Sequence, residues 1–135
     1  MERTRSVLLA AAVAACAGCG ARQAVPEGHW EKQLAQAIGS QVASREQNLQ
    51  NSRAVEQALA EGALEDMMRF QVQSAIGRGE PCHAHPECAE NGFLPDDLFY
   101  TVGSGDEERI GKLPVLVVGF GNYGRVVRTW NLRVH

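Results

Sequence analysis

The densest group of reactive side chains is the run Pro81-Cys82-His83-Ala84-His85-Pro86-Glu87-Cys88. Thiolate, imidazole and carboxylate all ligate zinc or copper, so Cys82, His83, His85 and Cys88 form a candidate metal set. The two cysteines can instead close a disulfide loop, which would remove both thiolates from any metal. Structural zinc sites usually draw their ligands from separated elements, and one tight loop does not easily turn four side chains to a common centre. A Cys82–Cys88 disulfide is therefore the first expectation, with His83 and His85 left exposed. A metal-binding or metal-sensing loop is the alternative.

A second run has the letters of a nucleotide site. Val115-Leu116-Val117-Val118 leads into Gly119-Phe120-Gly121-Asn122-Tyr123-Gly124, the G-x-G-x-x-G pattern. That chemistry needs a helix after the glycines to hold the pyrophosphate, and an acidic residue roughly 20 positions further on for the ribose. Here the short remainder, Arg125 to His135, alternates with period two and contains no acid. No nucleotide is expected at Gly119, Gly121 and Gly124, whose role is assigned to positive φ angles in a hairpin turn. The carboxylates Asp96, Asp97, Asp106, Glu107 and Glu108 fall in turn-like stretches, and solvated surface is their expected role. No Ser/His/Asp arrangement or general acid–base pair stands out, so neither catalytic residues nor a cofactor are expected, and the chain is not read as an enzyme.

The compartment is written at the N-terminus. Arg3 and Arg5 precede the apolar run Val7 to Ala15, which is too short to span a bilayer, a task that takes roughly 20 residues. Small residues then lead to cysteine, in the manner of a lipobox. Both Cys16 and Cys19 qualify. Lipidation of Cys19 leaves Cys82 and Cys88 as an even pair, whereas lipidation of Cys16 strands a free thiol. Residues 1–18 are thus read as a lipoprotein signal and residues 19–28 as a lipidated tether. The expected location is the bacterial cell envelope, with a lipid anchor in the membrane. Neither cysteine is followed by Asp, the inner-membrane retention signal of enteric bacteria, so the outer membrane facing the periplasm is preferred. The formal charge of −3 becomes one unit more negative without Arg3, Arg5 and Glu2, and no basic stripe for nucleic acid remains. What is left suffices for one small domain.

The elements that must position these groups fall into two parts. Trp30, Leu34, Ile38 and Val42 make a four-residue apolar step, as on one helix face. That stripe fades where Gln47, Asn48, Gln50 and Asn51 crowd together, so residues 29–52 are expected to be helical or partly disordered. After Ser52, a candidate N-cap, two helices are expected over 53–61 and 63–76. From Pro81 the chain turns β-rich, with strands expected at Leu98–Val102, Leu113–Phe120 and Arg125–His135. The second is uniformly apolar, as befits a strand buried on both faces. In the third, Val126, Trp130, Leu132 and Val134 share one face that only Arg128 interrupts. The expected fold is α+β, with N-terminal helices packed on a three-stranded antiparallel meander, and residues 53–135 form the small domain.

With a lipobox, a helical pair and a meander in place, the chain resembles the SmpA/OmlA family of small, BamE-like outer-membrane lipoproteins. The resemblance rests on Ile76-Gly77…Pro81, on Phe99-Tyr100, and on the final hairpin Leu116-Val117-Val118-Gly119-Phe120…Gly124-Arg125-Val126. It implies two helices on a three-stranded sheet and a non-catalytic role in assembling outer-membrane proteins through protein and lipid contacts. The Cys82–Cys88 loop and the segment His29–Asn51 have no counterpart in that pattern. The function expected overall is a non-catalytic binding or assembly module for an envelope protein, with the sheet and Trp130 supplying contact area.

Overall fold

Strand β3 (Val115–Phe120) is buried at every position and lies inside a four-stranded antiparallel sheet of order β1-β2-β3-β4. The computed structural model describes residues 25–132. The expected signal, Cys16, Cys19, most of the tether, and the strand residues Val134 and His135 lie outside the described residues. Strand β1 is Glu80–Pro81, β2 is Leu98–Thr101 and β4 is Val126–Leu132. The fold is α+β, as the sequence predicts, with a fourth strand added at one edge. Two residues containing a proline give too little pattern to mark β1. It forms because Glu80 and Pro81 pair with Phe99 and Leu98.

One sheet face carries the helices. Leu98, Tyr100, Leu116, Val118 and Phe120 point into a core shared with Leu34, Val55, Leu64 and Val72. Helix α1 (His29–Ile38) follows the predicted apolar step and buries Leu34 and Ala37. Val42, the last residue of that step, lies beyond the helix and packs with Ile110 and Leu113 instead. Helix α2 runs without a break from Arg45 to Ala60, straight through the amide-rich stretch where the sequence stripe fades. Its N-cap is Ser44, whose Oγ accepts from Gln47 N–H at 3.1 Å, while Gln47 Oε1 accepts from Ala43 N–H. Ser52, the candidate cap, is a buried position inside this helix.

The helix expected to begin at Ala63 begins six residues later, as α3 (Arg69–Ile76). Residues 61–66 form turns instead, with Leu64 at φ 73° and Asp66 at φ 59°. The left-handed region costs an L-residue roughly 1–2 kcal/mol. Complete burial of the Leu64 side chain offsets that cost, since burying a leucine is worth about 1.5–3 kcal/mol. The chain then meets the sheet: Val126 N–H donates to Met67 O, and Arg69 N–H donates to Gly124 O.

The other sheet face is covered by the segment between β1 and β2. A 3-10 turn (Cys82–Ala84) and helix α4 (Pro86–Glu90) place Cys82, Cys88 and Phe93 over Phe99, Val115 and Val117. Pro86 opens α4 at a position where a missing N–H costs nothing. A last short helix, α5 (Glu107–Ile110), stands where the sequence suggests only an exposed turn. Asp106 caps it by accepting from Glu108 N–H.

Tyr100 ties the helical layer to the sheet. Its hydroxyl donates to Gly77 O at 2.7 Å, and burial pushes the phenol up to about 12 from 10, against a smaller opposing pull from Arg69. A raised acid pKa means that the folded state resists ionisation. The associated stability is complete below about pH 10 and is lost as the pH climbs towards 12. Urea titrations across this window should show that loss in the native chain. Tyr100→Phe should flatten it, while costing about 1 kcal/mol at neutral pH for the missing hydrogen bond.

Candidate functional site

The cysteine–histidine run folds as a lid on the sheet. Cys82 and Cys88 are joined, with sulfurs 2.18 Å apart and Cα atoms 5.7 Å apart, and both are buried. Their backbone is also fixed: Cys82 N–H donates to Asp97 O, and Phe93 N–H donates to Cys88 O. His85 is engaged with other partners. Its ring stacks on Phe99 at 3.6 Å between centroids, and Nε2 meets Glu80 Oε2 at 2.6 Å. His83 is exposed. The four residues of the alternative metal set are thus not brought to one centre. Among the described residues no group of three or more His, Cys, Asp or Glu is placed to hold a metal ion.

The G-x-G-x-x-G run is part of a β-hairpin. A strand, β4, follows Gly124, and Gly121 N–H donates across the turn to Arg125 O. Only Gly124 has the positive φ expected of all three glycines. At Gly119 a Cβ would stand 3.2 Å from the Phe93 ring and from Arg128 Cγ, and at Gly121 it would meet Val127 Cγ1 at 2.6 Å. Two of the glycines therefore serve close packing, and one serves the turn.

A bulge explains Arg128. The register slips between Gly119 and Phe120, so that Phe120 pairs with Val126 but Gly119 pairs with Arg128. Val126 faces the helices, whereas Arg128 and Trp130 fall on the opposite face, which corrects the simple alternation read from sequence. There the Arg128 guanidinium lies over the Phe93 ring at 3.9 Å and donates to Gly92 O. Trp130 stacks on Phe93 at 5.9 Å. Trp130 is thus partly buried against the covered face.

Asp97 is the most informative residue that sequence reasoning missed. Far from being solvated, it is buried, and its two carboxylate oxygens accept from Leu94 N–H at 2.8 Å and Phe120 N–H at 3.1 Å. It joins the lid to the end of β3. A Pro-Asp-Asp turn in front of a strand is the only sequence signal for it.

With both faces covered, the sheet presents its edges. At one edge β1 has two residues and contains Pro81, a form that resists further pairing. At the other edge β4 has seven residues and no proline. The ladder phase can be read from its neighbours. Phe120 N–H points to Asp97 and Pro114 O points to Val102 N–H, so the even-numbered residues of β3 face β2. Val115, Val117 and Gly119 then bond to Leu132, Trp130 and Arg128, which leaves the N–H and C=O of Thr129 and Asn131 pointing outward.

A groove of about 400 Å³ runs along this open edge. Four consecutive strand residues, Val126 to Thr129, line it. Consecutive residues alternate between faces, so only an edge can present all four. The opposite wall is the end of α2 and the turn after it, with Leu59, Ala63, Glu65 and Asp66. Val127 is 64% exposed there. No family model, curated protein or solved structure matches the chain.

The lid makes its own prediction. Replacing Cys82 and Cys88 together by alanine should lower the unfolding free energy by about 2–3 kcal/mol, the loop-closure value for so short a ring, as read by urea denaturation. Reductant should bring the unmodified chain to the same midpoint. Zinc added to the oxidised chain should leave that midpoint unchanged.

Proposed function

We propose that this chain is a lipid-anchored lipoprotein of the bacterial envelope, whose folded part is a non-catalytic binding or assembly module. The observation that carries the reading is the N-terminal pattern: basic residues, the apolar run Val7 to Ala15, and Cys16-Ala17-Gly18-Cys19. A bridged, buried cysteine pair suits the oxidising compartment to which that pattern sends the chain. Among the described residues no helix is long and apolar enough to cross a membrane, and attachment through a lipid on Cys19 needs none. The outer membrane, with the domain facing the periplasm, is the proposed location. The resemblance to the SmpA/OmlA family makes assembly of outer-membrane proteins the process to examine first.

Binding is favoured over catalysis by where the functional groups go. Cys82, Cys88 and His85 of the reactive run are occupied in holding the lid, through the disulfide and through His85 on Phe99, and the buried Asp97 carboxylate is taken up by two backbone amides. Recognition surface, by contrast, is available along β4.

Metabolic labelling with palmitate in a bacterial host tests the proposal. The full chain should take up label and fractionate with the outer membrane. Cys19→Ser should lose the label, and Cys16→Ser should keep it. Loss of label in Cys16→Ser alone would move the lipid to Cys16. A wild-type chain that takes up none would contradict the lipoprotein reading altogether.

A further inference from the structure

Helix α2 and strand β4 run side by side in opposite directions. Leu59, near the end of α2, shares the groove with Val126 at the start of β4. Asn48, near the start of α2, donates from Nδ2 to Ile110 O and Lys112 O, just before the residue of β3 that pairs with Leu132 at the end of β4. An edge strand flanked lengthwise by a helix is the arrangement in which an added peptide strand gains backbone hydrogen bonds on one side and side-chain contacts on the other.

Two observations make this edge a site. Beyond Val126, whose N–H is taken by Met67 O, no outward backbone group of β4 has a hydrogen-bond partner among the described residues. The second observation is charge. Glu65 and Asp66 stand on the groove wall, and neither carboxylate is paired with a cation among the described residues. The nearby guanidinium groups are committed elsewhere, Arg125 to the backbone carbonyl of Asp66 and Arg128 to Phe93 and Gly92.

We propose that the outer edge of β4 takes an extended, Lys- or Arg-bearing segment of another polypeptide as a fifth strand, in the groove beside α2. Thr129 and Asn131 exchange backbone hydrogen bonds with it. Val127 packs against its apolar side chains, and Glu65 and Asp66 face its cations. This deepens the binding-module reading and rests on it.

The test uses the full chain in detergent and a fluorescein-labelled ten-residue peptide of alternating lysine and valine. Its anisotropy should report binding at least tenfold tighter than that of the matching glutamate–valine peptide. N-methylation of one alternate set of peptide amides should abolish binding, while methylation of the other set changes it less than twofold. The double variant Glu65→Lys, Asp66→Lys should weaken the lysine peptide at least tenfold. Exchange of the Thr129 and Asn131 amides should slow when the peptide is bound.

Binding that ignores both methylation patterns would overturn the proposal. So would protection mapped to the amide-lined groove between α1 and α2, where Gln33, Gln36, Gln50 and Arg53 lie. A dimeric mass with the Thr129 and Asn131 amides already protected would overturn it too, since a second copy would then hold the edge. None of these results alters palmitate uptake, so failure here and failure of the lipoprotein reading are separately visible.

Discussion

Strand β3 is apolar on both faces and must be covered on both, and the rest of the structure follows from that requirement. Leu116, Val118 and Phe120 face the helices, while Val115 and Val117 face the disulfide-closed lid. The helical cover is the ordinary solution for a small α+β domain. The second cover is too short to hold a core of its own. It relies on Cys82–Cys88, on Asp97 reaching back to Leu94 and Phe120, and on stacking of His85, Phe93, Trp130 and Arg128. In a chain of this size a covalent staple supplies what a larger hydrophobic layer would otherwise provide.

That arrangement explains why the two motifs with the most chemical promise turn out to be architectural. The cysteine–histidine run looks like a ligand set because it concentrates residues that pack and bond well in a small space. The glycine run looks like a nucleotide fingerprint because β3 must pass closely beneath Phe93 and Arg128 and then turn tightly into β4. Residue identity is the same in both readings. What differs is whether the side chains converge on a vacant centre or on one another, and here they converge on one another.

The parts of the fold readable from sequence were those set by local periodicity. The uniform apolar run of β3, the four-residue step of α1, and the break in character at Pro81 all carried through. The parts that escaped were set by distant contacts. Helix α2 crosses an amide-rich stretch because Asn48 bonds to the carbonyls of Ile110 and Lys112, a partnership no window of sequence displays. The start of α3 is delayed because Leu64 is drawn into the core in a left-handed conformation. One extra residue in β4 moves Arg128 and Trp130 to the face opposite Val126, and a single inserted residue leaves the apparent alternation intact while changing which face it describes. The open edge of β4 was equally hidden, because strand order is a property of the sheet and not of any strand.

Residue-resolved native-state hydrogen exchange tests the central claim most directly, since it ranks the parts of the sheet by the opening each requires. If the doubly covered strand organises the domain, the hydrogen-bonded amides of Val115 to Phe120 exchange only on global unfolding. The lid, Cys82 to Phe93, opens at lower cost. Along β4 the Trp130 amide, bonded to Val117, is slow, while its neighbours Thr129 and Asn131 exchange fast. Amides of β3 that exchange as readily as those of the lid, or protection of Thr129 and Asn131 equal to that of Trp130, would contradict the account.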